Sequence, residues 1–304
     1  MAYRLDPAGR LPAELHRVCE EQAGQAIASL AGRPEGLGAA VHDARKCCKR
    51  LRAVLRLARP ALGDAYEREN ARYRDAARLL SDLRDADALL ETAEALRARF
   101  GRAVKAALFD RVDAALEARR TGRLAAIADP AALCAAAAAR IEEGREALHG
   151  LPFPDEVEPL AAGFRKTYKR GRDAFERCRT SRDAEDFHDW RKRVKYHTRH
   201  LRLLQPAWPD EVKAQRKAFK RLADLLGDDH DIALFLAADR EEGGLLDDPA
   251  EAELLRGALS ERSAGLRAAA LDLGPRLLAE RPRAQERRMS EYWHATAALA
   301  RDAA

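Results

Sequence analysis

One nine-residue string occurs twice, and the fold has to place both copies. Val41-His42-Asp43-Ala44-Arg45-Lys46-Cys47-Cys48-Lys49 returns 146 positions later as Phe187-His188-Asp189-Trp190-Arg191-Lys192-Arg193-Val194-Lys195. The register runs ungapped from Val41 to Leu90. It pairs Leu55 with Leu201, Arg56 with Arg202, Pro60 with Pro206, Asp64 with Asp210 and Tyr73 with Phe219. Further on it pairs Leu79-Leu80 with Leu225-Leu226, Asp82 with Asp228, Asp85 with Asp231 and Leu90 with Leu236. A period this long means two similar bundles rather than a solenoid of short repeats. Apolar residues recur at three- and four-residue steps and nowhere alternate, so an all-α chain is expected. Its two pseudo-symmetric bundle halves, 9–150 and 151–304, form one domain over 1–304.

Within each copy the residues sort onto two helix faces. Val41, Ala44, Cys48, Leu51, Leu55 and Ala58 form a packing seam, and Phe187, Trp190, Val194, Leu201 and Leu204 form its counterpart, interrupted by His197. Beside the seam runs a cationic stripe: His42, Arg45, Lys46, Lys49, Arg52 and Arg56 in the first copy, His188, Arg191, Lys192, Lys195, Arg199 and Arg202 in the second. At about 1.5 Å rise per residue each stripe is roughly 20 Å long, which suits a polyanion better than one small anion. Charged residues make up 35 % of the chain, but the net charge is only +5, so it is the clustering of cations that carries meaning.

Other features narrow the class. The five cysteines, Cys19, Cys47, Cys48, Cys134 and Cys178, are odd in number and lack a Cys-x-x-Cys, so neither a disulfide framework nor a zinc site is expected. Free thiols fit a reducing cytosol. The N-terminal residues lack the apolar core of a signal peptide, and no uninterrupted apolar run reaches the roughly 18 residues of a membrane span.

Along the chain, helices are expected over 11–30, from the first His-Asp string to Pro60, and from an Asp64 N-cap to about Phe100 with a bend near Ser81. Two more follow over 101–120 and from Asp129-Pro130 to about His149. Gly150 to Pro159, with three prolines, is the clearest linker. Beyond it, 160–179 is a helix with its own basic face of Arg165, Lys169 and Arg172, with Lys166 alongside. The second His-Asp helix runs to Pro206, and the next, capped by Asp210, is interrupted at Gly227. Two C-terminal helices are broken at Gly274-Pro275 and Pro282.

The two strings, together with Ser81-Asp82-Leu83-Arg84-Asp85 and Leu226-Gly227-Asp228-Asp229-His230-Asp231, resemble the CHAD family, the conserved-histidine α-helical domain. The resemblance covers nearly the whole chain. It implies two pseudo-symmetric bundles with a basic groove or pore between them, and binding of inorganic polyphosphate, often on polyphosphate granules. Family members are often fused to a triphosphate-tunnel domain; this chain is expected to be a stand-alone member. It departs from the pattern at Cys47-Cys48, which lose one stripe cation, and at Thr198-Arg199, where aromatic residues are expected.

The partner expected is therefore inorganic polyphosphate or another polyanion, held by the stripes with Arg84 and His230, which match across the repeat. Arg165, Lys169 and Arg172 are expected to line the same surface. Guanidinium forks give bidentate contacts to phosphoryl oxygens, ammonium groups give point charge, and an imidazole donates one hydrogen bond when neutral and two when protonated. Binding should then strengthen as pH falls from about 8 to 6 if His42 and His188 touch phosphate. No cofactor or metal is expected. Aromatic residues are not interleaved with the stripes, so no sequence-specific nucleic acid is expected, and no membrane partner either; a homodimer is compatible with the sequence. Asp82, Asp85, Asp228 and Asp231 are expected to pin bent helices. The His-Asp dipeptides leave a metal-dependent HD-type phosphohydrolase as the enzymatic alternative, opposed by the cations crowding each dipeptide; a structural or granule-coat scaffold is the other.

Overall fold

A computed structural model describes residues 3–33, 35–100, 106–240, 244–246 and 248–303, without the side chains at 85, 86, 88, 99, 100, 106 and 107. The expectation for Asp85 thus lies outside the described residues. In chain order the helices are α1 (Leu11–Gly32), α2 (Leu37–Leu62), α3 (Asp64–Leu79), α4 (Ser81–Phe100), α5 (Ala106–Ala125) and α6 (Pro130–Leu148). They continue with α7 (Glu158–Ser181), α8 (Ala184–Leu203), α9 (Pro209–Arg240), α10 (Pro249–Leu277) and α11 (Pro282–Asp302). No strand occurs among the described residues.

The two halves correspond in order. α1 packs on α2 and α6 as α7 packs on α8 and α11; α2 packs on α3 as α8 does on α9; α4 packs on α5 as α9 does on α10. The cores do not divide the same way. One joins Val18 and Leu51 to Tyr73, Phe164, Trp190, Leu201 and Trp293, drawing on both halves. The other, smaller, joins Leu96, Phe109 and Val112 of the first half to Ile232, Phe235 and Leu259 of the second. Each half therefore completes the apolar interior of the other.

α2 holds the centre, packed on α1, α3, α7 and α8. Where it meets α7 the backbones touch: a Cβ at Gly163 would stand 1.9 Å from the Leu57 carbonyl oxygen. Where it meets α8, the buried His200 sets Nε2 2.9 Å from the Ala53 carbonyl oxygen. Positions 53 and 200 are one residue from being each other's equivalents under the 146 offset.

Several helix ends differ from expectation. Pro60 lies inside α2, because burial of Leu57, Ala58 and Leu62 carries the helix past the missing N–H. Asp64 opens α3 without a side-chain cap, behind Gly63 at φ 51°. α5 runs past Gly122 to Ala125. Gly227 does not interrupt the 32-residue α9. The break falls in the first half instead, at Leu80, where the Arg45 guanidinium donates to the Ala77 carbonyl at 2.6 Å and to Ser81 Oγ at 2.9 Å. Gly227 brings no hydroxyl to such a contact, and Arg191, the counterpart of Arg45, turns to Asp231 at 3.8 Å.

Asp129 caps α6 as expected, accepting from Ala132 N–H at 2.9 Å. Among the described residues no single helix is long and apolar enough to cross a membrane; α5 and α6 pass that test only together, and a 73° bend separates them.

A cationic cleft between α2 and α8

Leu83 of α4 and Leu226 of α9 belong to the larger core, Leu96 and Ile232 to the smaller. Arg84, His230 and Asp231 stand at that boundary, beside the stripes of α2 and α8. Lys49 and Lys195, equivalent under the repeat, lie near enough to feel each other's charge. Lys49 is open to solvent on one side. Dehydration by the surrounding protein, then the charges of Arg45, Arg199, Arg191 and Arg84, bring its ammonium down to about 8. Dehydration, then Arg191 and Arg199, bring Lys195 to about 8 as well, with Asp231 opposing. Among the described residues neither ammonium has a carboxylate at ion-pair distance. Burial raises the Asp231 carboxyl, against the pull of Arg191 and Lys195.

The histidines are engaged differently from expectation. His188 Nδ1 and His230 Nδ1 lie 2.8 Å apart, so one ring donates and the other accepts. Each then has only Nε2 left, and only one of the two Nε2 atoms carries a proton. Burial, then Arg191 and His188, bring His230 down to about 3. Burial, then Lys192 and Arg191, lower His188; burial, then Arg84, lower His42. Both stripe histidines thus ionise below the ordinary imidazole value, and their share of any pH effect shifts toward lower pH.

Around the mouth, Lys46 pairs with Asp43 at 2.9 Å and Lys192 with Asp189 at 3.5 Å. Such partly exposed pairs are worth about 0–1 kcal/mol, so an incoming anion can displace them cheaply. Arg84 pairs with Glu91. Arg52 donates to Asn70 Oδ1 at 3.1 Å, and Arg199 to the Lys195 carbonyl at 3.1 Å. Arg56 stacks 4.1 Å over the Tyr196 ring, its buried Nε without a hydrogen-bond partner. Arg202 lies at the opposite end, near Arg50, Arg216 and Arg4.

Three expected residues are elsewhere. Arg165 pairs with Glu286 of α11 at 2.6 Å, Arg172 donates to the Glu280 carbonyl at 3.1 Å, and Lys169 pairs with Asp173 at 2.8 Å. Arg165 and Arg172 thus tie α7 to the C-terminal segment, and Lys169 is held along its own helix. The α7 cations that do turn toward α2 are Lys166 and Arg170; the sequence reading noted the first and missed the second. A signal existed: both follow Gly163, at three and seven residues, on the face that glycine marks for close approach.

The helix pins also differ. Asp231 pairs with Arg191 of α8, and the buried Asp229, not singled out in the sequence, ties α9 to α10 through Ser263 and Arg267, as Asp87 ties α4 to Arg120 of α5. The dipeptide carboxylates serve cations: Asp43 holds Lys46, while Asp189 holds Arg177 at 2.8 Å and Arg193 at 2.9 Å. His197, ringed by Phe164, Tyr168 and Phe219, and His200, bonded to Ala53, do not converge on a common point for a metal. Among the described residues no three His, Cys, Asp or Glu side chains stand together as metal ligands.

These features define an all-α class in which two corresponding helix sets bring their basic helices to one cleft. The chain belongs to the CHAD domain family, whose sequence profile matches residues 21–240. The structure is similar to the crystal structure of the CHAD domain from the plant Ricinus communis, with 20 % identity, a TM-score of 0.59, and 92 % of this chain and 95 % of that one covered. It is also similar to PptA from Streptomyces chartreusis, with 16 % identity, a TM-score of 0.57, and 90 % and 100 % covered. At these identities the likeness is one of fold. None of the curated proteins compared matches the chain.

Proposed function

We propose that the chain binds inorganic polyphosphate in the α2–α8 cleft and performs no chemistry on it. The observation that carries this reading is Lys49: an ammonium set beside Arg45, Arg199, Arg191 and Arg84, with no carboxylate of its own at ion-pair distance among the described residues. Folding brings those cations together against their repulsion, and a chain of phosphoryl groups supplies the missing charge at the spacing of the stripes. Lys195 and Arg191 offer the matching wall, and one imidazole N–H of the His188–His230 pair adds a neutral donor. The absence of chemistry is argued from the dipeptides. Each His-Asp carboxylate already holds neighbouring cations, and His188 is bonded to His230, so neither pair is arranged to share a metal. On this reading the protein resides in the cytoplasm, on polyphosphate granules.

Competition among long polyphosphate, tripolyphosphate and duplex DNA across a salt series tests the reading, with wild type beside Lys49→Gln/Lys195→Gln. Long polyphosphate should win, and the double variant should lose most of that affinity while keeping its helical circular dichroism. A folded double variant that binds as wild type would remove the cleft from consideration. Phosphate release that persists through repurification and disappears in His188→Ala would restore the phosphohydrolase.

A further inference from the structure

Beyond the Tyr196 ring the cations continue onto α7. The close approach of α7 to α2 at Gly163 and Leu57 places Lys166 and Arg170 beside Arg56 and Arg59. Arg59 is taken: it pairs with Glu67 at 2.7 Å and stacks 4.5 Å over Tyr66. Arg193, also near Arg170, is held by Asp189. Arg56, Lys166 and Arg170 have no carboxylate at ion-pair distance among the described residues, and the Arg56 Nε is buried without a hydrogen-bond partner. Dehydration, then the neighbouring guanidiniums, lower both Lys166 and Arg170, as they lower Lys49 in the cleft.

The repeat does not copy this cluster. Within the register, the positions equivalent to Arg59 and Arg193 are Gln205 and Cys47, and the same offset carried back beyond it sets Lys166 and Arg170 against Glu20 and Gly24. Only Arg56 has a cationic counterpart, Arg202. These cations therefore lie outside what the two stripes hold in common.

We infer that Arg56, Lys166 and Arg170, where α7 crosses α2, form a second phosphate subsite that extends the cleft on the α7 side. The inference rests on the polyphosphate reading. A chain too short to pass Tyr196 cannot use both sites at once; a longer one does, gaining from effective concentration. A long polymer seated in the cleft thus extends over the α7 side.

The test is calorimetric titration of the full chain with long polyphosphate over a salt series. Lys166→Gln/Arg170→Gln is compared with Lys213→Gln/Lys217→Gln, which removes the same charge from exposed positions on α9. Each lost contact should lower the logarithmic salt slope by about 0.7–0.9, by analogy with nucleic-acid phosphates, so the first variant should lose roughly 1.5 from the slope and the second far less. Affinity of the first for the long polymer should fall about tenfold, while its melting temperature holds or rises as like charges are removed. Equal slopes in the two variants would overturn the subsite. Lys49→Gln/Lys195→Gln, measured in parallel, keeps the two ideas apart. Loss there with no loss at Lys166 and Arg170 sinks the subsite alone; no loss at either pair sinks the polyphosphate reading.

Discussion

Lys49 shows what one residue gives up to make a site. Its ammonium is held at about 8 in the folded chain against about 10.4 for an unhindered lysine. Between those values the unfolded chain binds more protons than the folded one, so stability rises with pH there, and below about 8 the folded chain carries the full repulsion. Lys49→Met should therefore raise the melting temperature at pH 7 by a few degrees while weakening polyphosphate binding, as scanning calorimetry with and without ligand will register. Binding has its own pH dependence. A polyanion favours the charged lysines, so affinity should fall as pH climbs through about 8, with net proton uptake on binding near that pH. Titrations in two buffers of different ionisation enthalpy measure the uptake; its absence at pH 8 would contradict the arrangement around Lys49 and Lys195. His42 and His188, both lowered, add their own protonation further down the pH scale.

Among the elements, the contact of α2 with α7 sets the most. Gly163→Ala would drive a methyl into the Leu57 carbonyl, so the helices must separate. A loss of about 1–3 kcal/mol is expected in urea unfolding, with weakened binding of long polymer because Lys166 and Arg170 move away from Arg56. The stripes on α2 and α8 were legible in the sequence because a helix face follows from spacing alone. What was not legible depended on distant partners. Arg165 and Arg170 sit within two turns of one helix, and which of them faces the cleft is settled by the Gly163 approach and by Glu286, more than a hundred residues away. The His188–His230 pair spans 42 positions. The Leu80 break falls where a bend near Ser81 was expected; only its partner, Arg45 on the Ala77 carbonyl, was not legible. Gly227 misled in the opposite direction: a glycine inside a helix packed along its length does not end it.

At the scale of the whole molecule, the halves share their interior. Residues 1–150 expressed alone would expose the faces of Val54 and Leu57 and lose the partners of Phe109, so circular dichroism and proteolysis should find an unfolded or aggregating fragment. Cutting the intact chain in the 150–157 linker should leave the two pieces associated. Polymer bound across both stripes should likewise act as one event: Lys46→Ala and Lys192→Ala should each weaken long-chain binding more than tripolyphosphate binding, whereas two equal sites, one lost per variant, would refute a common cleft. The unbalanced charge around Lys49 also reaches beyond the binding event. A protein whose empty site works against its own fold opens more often when its ligand is scarce, and ligand binding suppresses that opening by mass action. Inside a cell, proteases draw on the opened fraction. On the polyphosphate reading, the protein's lifetime should lengthen as polymer accumulates and shorten as polymer is consumed, so that its abundance would follow the phosphate reserve; a pulse-chase at high and low phosphate checks this.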